Sequence, residues 1–310
     1  MKYRSDIDGL RAVAVIPVIL YHTDIEYFSG GYVGVDVFFV ISGYLITKLL
    51  TDDLSRGHLS IRKFYERRIR RIFPALFTVL IFTLIVSSLI LLPEDYISES
   101  YSALSAALFS ANIYFWANSG YFDAPASALP LLHTWSLAVE EQFYIVFPLL
   151  LLTFKNANRN VLAIIFFVLF FVSLGISQWY VVNDTKSAFY LPHSRAWELL
   201  IGAFLALGVL PDNRSRLMRE TLSITGITLI SWSVFTYTDK TPFPGFSALA
   251  PSIGAALIIY AGRSGRSLPF HILTMKSIVF IGLISYSLYL WHWPIIVLTK
   301  YYVVYPLSIQ

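Results

Sequence analysis

Residues 161–182 read VLAIIFFVLFFVSLGISQWYVV, a run without one charged side chain. A helix needs about 20 such residues to cross the hydrocarbon core of a bilayer. Inside lipid every backbone N–H and C=O must be satisfied within the segment, so a run of this length and polarity reads as a membrane-spanning helix. Working outward, comparable apolar stretches fall at residues 12–27, 33–50, 73–92, 135–154, 197–210, 221–237, 246–260 and 278–300. With the quoted run they predict about nine spans. The composition agrees: of 310 residues, 56% are hydrophobic, 16% aromatic and only 14% charged, and the mean hydropathy is +0.65. That is too little charge to cover a soluble surface. The fold class is therefore all-α, a polytopic transmembrane helix bundle, and residues 1–310 are expected to form one integral membrane domain without smaller soluble ones.

Orientation follows from the basic loops. Arg56, Arg62, Lys63, Arg67, Arg68, Arg70 and Arg71 fall between the second and third apolar stretches, and such clusters stay on the cytoplasmic side. With nine alternating spans, Lys155 and Arg159, then Arg214, Arg216 and Arg219, then Arg263, Arg266 and Lys276 fall on that same side. The N-terminus is then cytoplasmic and the C-terminus outside. Residues 101–116 are apolar enough to enter the membrane, yet a crossing there would reverse every later basic loop; a re-entrant or interfacial segment is expected. The stretch 118–130, with Gly120, Pro125 and Pro130, reads as an outer loop. Lys2 and Arg4 precede an apolar run without a small-residue cleavage pattern, so that run is a retained first span.

The net charge of +4 is explained by these loops, and no nucleic-acid partner is expected. The chain has no Cys, which excludes disulfides, thiolate metal sites and a cysteine nucleophile. It has no P-loop, no G-x-S-x-G elbow and no H-E-x-x-H motif, so NTPase and common hydrolase readings lose their support and no metal is expected.

Ionisable side chains inside spans are costly and mark function by default. Arg11 and His22 lie eleven residues apart, about three helical turns, which puts them on one face roughly 16 Å apart along the axis. A snorkelling arginine and a histidine satisfied by a neighbouring helix is the plainer reading. Glu140 and Glu141 stand side by side one turn below His133, Trp135 and Ser136, and at least one should face the bundle interior. A structural ion pair, for instance to Arg195, accounts for them as well as catalysis does. Asp36 opens the second stretch, Arg195 and Glu198 lie one turn apart at the mouth of another, and His292 lies between Trp291 and Trp293. For Asp36 and His292 singly, helix packing is the simpler account, and the two tryptophans suit an interfacial belt. Arg67, Arg68, Arg70 and Arg71 exceed what orientation requires. Their guanidiniums could clamp phosphates of a nucleotide-containing donor, or contact anionic lipid. The polar residues thus divide into an anion-binding inner set and an acid–base outer set.

Several of these pieces, in order, resemble the acyltransferase-3 membrane proteins, which include bacterial O-antigen and exopolysaccharide acetylases. The pieces are Asp8-Gly9-Leu10-Arg11-Ala12 with His22, Gly34-Val35-Asp36-Val37-Phe38-Phe39-Val40-Ile41-Ser42-Gly43 after Gly30-Gly31, the arginine-rich stretch 67–74, residues 133–144, and residues 285–294. The resemblance covers essentially the whole chain. It implies that Arg11 and His22 are essential, that Arg68 and Arg71 help handle the donor, that acetyl-CoA is that donor, and that the protein sits in the bacterial cytoplasmic (inner) membrane. It also implies a tenth helix followed by a basic motif, and in some members a hydrolase-like extracytoplasmic domain; neither is expected within these residues.

The expected function is O-acetyl transfer from cytoplasmic acetyl-CoA to an extracytoplasmic carbohydrate, such as an O-antigen of lipopolysaccharide or another surface polysaccharide. His22 would act as general base on the acceptor hydroxyl, with Glu140, Glu141 or Asp36 orienting its ring, and an acetyl-histidine route is a two-step variant. His133, Trp135, Arg195, Glu198 and His292 are the candidate acceptor-binding set, with Tyr121, Trp179 and Tyr190 as possible stacking platforms. A transporter or flippase is the alternative, since buried charges also mark substrate pathways; a non-catalytic sensor is a second.

Overall fold

The computed structural model describes residues 3–57, 59–118, 128–211, 215–263 and 265–303. Lys2, Gly120, Tyr121, Pro125 and Arg214, which carry sequence expectations above, lie outside them. Among the described residues there are helices and no strand, as an all-α membrane chain requires. Thirteen α-helices follow one another: α1 (Ser5–His22), α2 (Gly34–Ser55), α3 (Ile61–Ile90), α4 (Pro93–Ala107), α5 (Ala111–Asn118), α6 (Thr134–Thr153), α7 (Arg159–Asn183), α8 (Thr185–Tyr190), α9 (Pro192–Ala206), α10 (Arg216–Thr236), α11 (Leu249–Ala261), α12 (Leu268–Leu273) and α13 (Lys276–Tyr302).

Every apolar stretch named from the sequence falls on a helix. Among the described residues, five helical segments are long and apolar enough to cross a membrane: Gly31–Ser55, Ile61–Ile90, Thr134–Thr153, Arg159–Asn183 and Lys276–Tyr302. Residues 101–116 form no single helix. α4 ends at Ala107, Phe109 takes a left-handed φ of 52° and α5 begins at Ala111, so neither piece is long enough to cross a bilayer by itself.

The chain divides into two compact units. One comprises Met1–Leu59 and Phe143–Ser285, the other Ser60–Gln142 and Tyr286–Gln310. In the first, Leu10, Ala14, Val37, Val40, Ile41, Ile230, Val234, Ile258 and Ile259 form the buried core. Its tightest helix pair is α2 with α9. A Cβ at Gly43 would fall inside the Leu199 carbonyl, and one at Gly202 inside the Val40 carbonyl. The two glycines thus bring the backbones into direct contact, the device that substitutes for hydrophobic driving force between helices in lipid. α7 behaves oppositely: Phe171, Val172 and Trp179 are exposed, and nothing lies within 4 Å of where a Gly175 side chain would start.

In the second unit, Ser60 caps α3 by accepting from the Lys63 N–H. The Asn112 and Gln142 amides bond each other at 2.8 and 3.3 Å, and Gln142 also donates to Phe109 O at 2.9 Å. These bonds pin the α4–α5 turn to α6.

Candidate functional site

In the first unit, α1 carries Arg11 and His22. Arg11 is largely buried and its guanidinium pairs with Asp8 one turn earlier, at 3.6 Å. Asp8 is itself fixed, because α13 passes so close that a Cβ at Gly282 would fall inside the Asp8 carbonyl. His22, the last residue of α1, is half-buried, with its ring 5.1 Å from that of Tyr21. The Tyr21 hydroxyl donates to Asp239 at 2.8 Å, and its ring meets the Tyr32 ring at 5.4 Å.

Asp36, Arg195 and Glu198 converge. Arg195 Nη2 donates to Asp36 Oδ1 at 3.0 Å, Arg195 Nη1 reaches Glu198 Oε1 at 3.0 Å, and all three side chains are buried. The rings of Phe39, Phe243 and Phe189 surround the guanidinium at 5.4, 5.6 and 6.0 Å. The start of α9 is held for this purpose. Ser173 Oγ donates to His193 O at 2.6 Å and accepts from the Trp197 N–H at 3.0 Å. Arg195 therefore clamps α9 to α2 between two carboxylates, so the ion pair suggested between it and the tandem glutamates is made with Asp36 and Glu198.

In the second unit, Arg67, Arg70 and Arg71 are exposed and Arg68 is half-buried. Arg70 is paired along its own helix with Glu66 at 2.7 Å. Arg68 and Arg71, three residues apart and hence on one face of α3, both act on the buried Glu141 of α6. Glu141 also influences Tyr65 and Tyr286, and the Tyr286 hydroxyl donates to Ile72 O at 3.3 Å. Glu140 is half-buried and lies within electrostatic reach of Tyr286 and Tyr289.

His133, Trp135 and His292 are buried in the same unit. His133 Nε2–H donates to Leu290 O at 3.1 Å, and His292 Nδ1–H donates to Tyr289 O at 2.6 Å. The tautomers follow from the carbonyl partners. Tyr289 links the two rings: its hydroxyl donates to His133 O at 3.0 Å and meets Ser136 Oγ at 2.6 Å, and its ring lies 5.5 and 5.4 Å from His133 and His292. Sequence reasoning missed Tyr289, Tyr286 and Asp8. Tyr289 stands one turn before His292, and that helical spacing was the signal available for it.

Against known proteins, the family model described as an acyltransferase domain matches residues 4–309. The O-acetyltransferase OatA of Staphylococcus aureus (strain NCTC 8325 / PS 47) is 35% identical over 318 residues, covering 98% of this chain and 52% of that protein. The peptidoglycan O-acetyltransferase OatA of Listeria monocytogenes (serovar 1/2a, strain ATCC BAA-679 / EGD-e) is 35% identical over 317 residues, covering 96% of this chain and 50% of that one. The chain spans about half the length of these relatives. No solved structure matches it.

Proposed function

The chain belongs to the acyltransferase-3 family, and from that premise we propose that it is a membrane O-acetyltransferase that modifies a hydroxyl of an extracytoplasmic carbohydrate polymer. The observation that carries this reading is the continuous likeness to O-acetyltransferases over 98% of the chain. The multi-pass body sits in the cytoplasmic membrane with residues 67–71 on the cytoplasmic side, in keeping with the basic loops. Acetyl-CoA is the donor, its phosphates held by Arg68 and Arg71. His22 is the base: it takes the proton of the acceptor hydroxyl as the oxygen attacks the thioester carbonyl. A C–O bond forms, the C–S bond breaks, and the proton passes to the departing thiolate. Arg11, paired with Asp8, is required alongside His22.

The acceptor follows the relatives. The resemblance pointed to surface polysaccharides such as O-antigen, whereas one relative is named for peptidoglycan, so peptidoglycan is the first acceptor to test. Mass spectrometry of purified peptidoglycan and of other surface glycans, from cells with and without the full-length protein, should reveal one acetyl group lost per modified sugar. His22→Ala at normal protein abundance should abolish that acetylation; turnover that survives the substitution excludes His22 as the base. Glycan that is unchanged in every fraction excludes the acetyltransferase reading.

A further inference from the structure

The short helix α12 has no part in the acetyl transfer described above, yet it is firmly held. Its cap, Ser267, donates to Ser223 Oγ of α10 at 2.9 Å, and the Leu268 N–H donates to Glu220 Oε2 at 2.8 Å. On the other side a Cβ at Gly9 would fall inside the Leu273 carbonyl, so α12 also lies against α1. Pro269 and Leu273 are buried in these contacts. The opposite face is open. Leu268 and Ile272, one turn apart on it, are 62% and 50% exposed, and Met275 in the turn that follows is 54% exposed. α13 begins at Lys276, and the three chain steps from Leu273 reach at most about 11 Å. Because α13 is long and apolar enough to cross the membrane, α12 lies at a leaflet surface.

Three exposed cations rim this apolar stripe: Arg266 just before α12, Lys276 at the start of α13, and Arg216 at the start of α10 beside the exposed Leu217. None of the three makes a hydrogen bond or ion pair with another described residue, whereas Lys48 and Arg70 are paired along their own helices with Asp52 and Glu66. Arg216 and Lys276 each open a helix, where the helix dipole disfavours a cation, so helix stability does not account for them. An apolar stripe rimmed by cations at a leaflet surface is what an interfacial helix on anionic lipid requires.

We propose that α12, with Arg216, Arg266 and Lys276, is a docking surface for an anionic phospholipid, its apolar stripe among the acyl chains and its cations on the headgroup phosphate. The surface is independent of the acetyl-transfer chemistry and rests only on the cytoplasmic placement of the basic loops given above. The exposed apolar side chains favour lipid over a water-soluble phosphate, which would leave them in water. Because α12 packs on Gly9, lipid held there steadies the end of α1 that carries Asp8 and Arg11.

Purified full-length protein in detergent is titrated with phosphatidylglycerol and with phosphatidylcholine of the same chains, and bound lipid is counted by native mass spectrometry. The wild type should prefer phosphatidylglycerol by about ten-fold or more, each cation near an anionic headgroup being worth about five-fold. R216Q/R266Q/K276Q should abolish the preference. R56Q/K155Q/R159Q removes the same charge from exposed positions of the same unit and should keep most of it. Because the chain has no Cys, Ile272→Cys carries a single nitroxide, which in phosphatidylglycerol liposomes should meet dissolved oxygen in preference to a water-soluble nickel chelate. No preference in the wild type, an equal loss in both triple variants, or a label open to the chelate overturns the proposal; the first and last need no charge variant to fold. Coenzyme A binding that R216Q/R266Q/K276Q abolishes while the lipid preference survives also overturns it, and makes the cations a nucleotide-phosphate site. A membrane-impermeant thiol reagent that reaches Arg266→Cys in intact cells overturns the cytoplasmic placement instead.

Discussion

The Arg195 guanidinium and the Asp36 carboxylate meet at 3.0 Å with side-chain exposures of 1% and 0%, and Glu198 closes on the same guanidinium from one turn along α9. One cation thus serves two buried anions contributed by two helices. Breaking a buried ion pair by deleting one partner costs about 3–5 kcal/mol, because the remaining charge stays buried and unpaired. Arg195→Ala leaves both carboxylates without a cation and should be the most damaging single change in the triad. Asp36→Ala should cost less. Arg195→Lys should rescue poorly, since one ammonium cannot reproduce the planar fork. Thermal unfolding of the detergent-solubilised protein orders the three variants, and an Arg195→Ala protein as stable as the wild type would remove the clamp from the account.

Glycines on two helices should respond oppositely. Gly43→Ala and Gly202→Ala push a methyl into a backbone carbonyl across the α2–α9 contact, where the only relief is separation of the helices, and each should lower stability by about 1–3 kcal/mol. The two sites share one interface, so the double variant should lose less than the sum. Gly175→Ala meets nothing within 4 Å and should be neutral or slightly stabilising, because alanine has the higher helix propensity. Unfolding midpoints measured side by side check the contrast.

Glu99, on α4 and outside the five apolar spans, is 1% exposed, with Ser102 Oγ donating to its Oε2 at 3.0 Å. Burial raises its pKa from an ordinary 4.5 to about 8. As pH climbs through that interval the unfolded chain releases a proton that the folded chain keeps, so stability falls across it and levels off above about 8. The full deficit is of order 5 kcal/mol. Glu99→Gln should match the wild type near pH 4 and exceed it increasingly toward pH 8. Unfolding midpoints taken across that range test the sign, and parallel curves would contradict it.

Asp8 should act as a positioning residue for Arg11. Asp8→Asn keeps the size but removes the charge that holds the guanidinium at 3.6 Å. On the proposed role of Arg11, acetyl transfer in membranes containing the full-length protein should fall by about ten-fold or more, since a misplaced group at a reacting centre is that costly. The Asn variant should unfold close to the wild type, and unchanged turnover would show that Arg11 does not depend on Asp8.

Much of the architecture was legible from the chain. Apolar runs near bilayer length, such as residues 161–182, leave the backbone no alternative to helix in lipid, and each one falls on a helix. The count of basic loops led to a re-entrant or interfacial expectation for residues 101–116; the break between α4 and α5 at the left-handed Phe109 is a feature the sequence reading did not name. Boundaries shifted where hydropathy and helix part company: the first apolar stretch was placed at 12–27, whereas α1 runs from Ser5 to His22 and takes in Asp6, Asp8 and Arg11.

The site divides differently. The sequence by itself determined which charged residues enter apolar segments and which of them share a helix face, because those follow from composition and a period of 3.6 residues. Thus Arg11 and His22 were paired from spacing, whereas Arg68 and Arg71 were singled out by the family resemblance. Only the tertiary structure decided which side chains meet across helices: that Arg195 closes on Asp36 and Glu198, and that Tyr289 joins His133 to His292. Helix periodicity fixes the face a side chain occupies. The neighbour it meets there depends on which helices pack together and at what height, and contacts such as Gly43 against the Leu199 carbonyl set that at positions far apart in the chain.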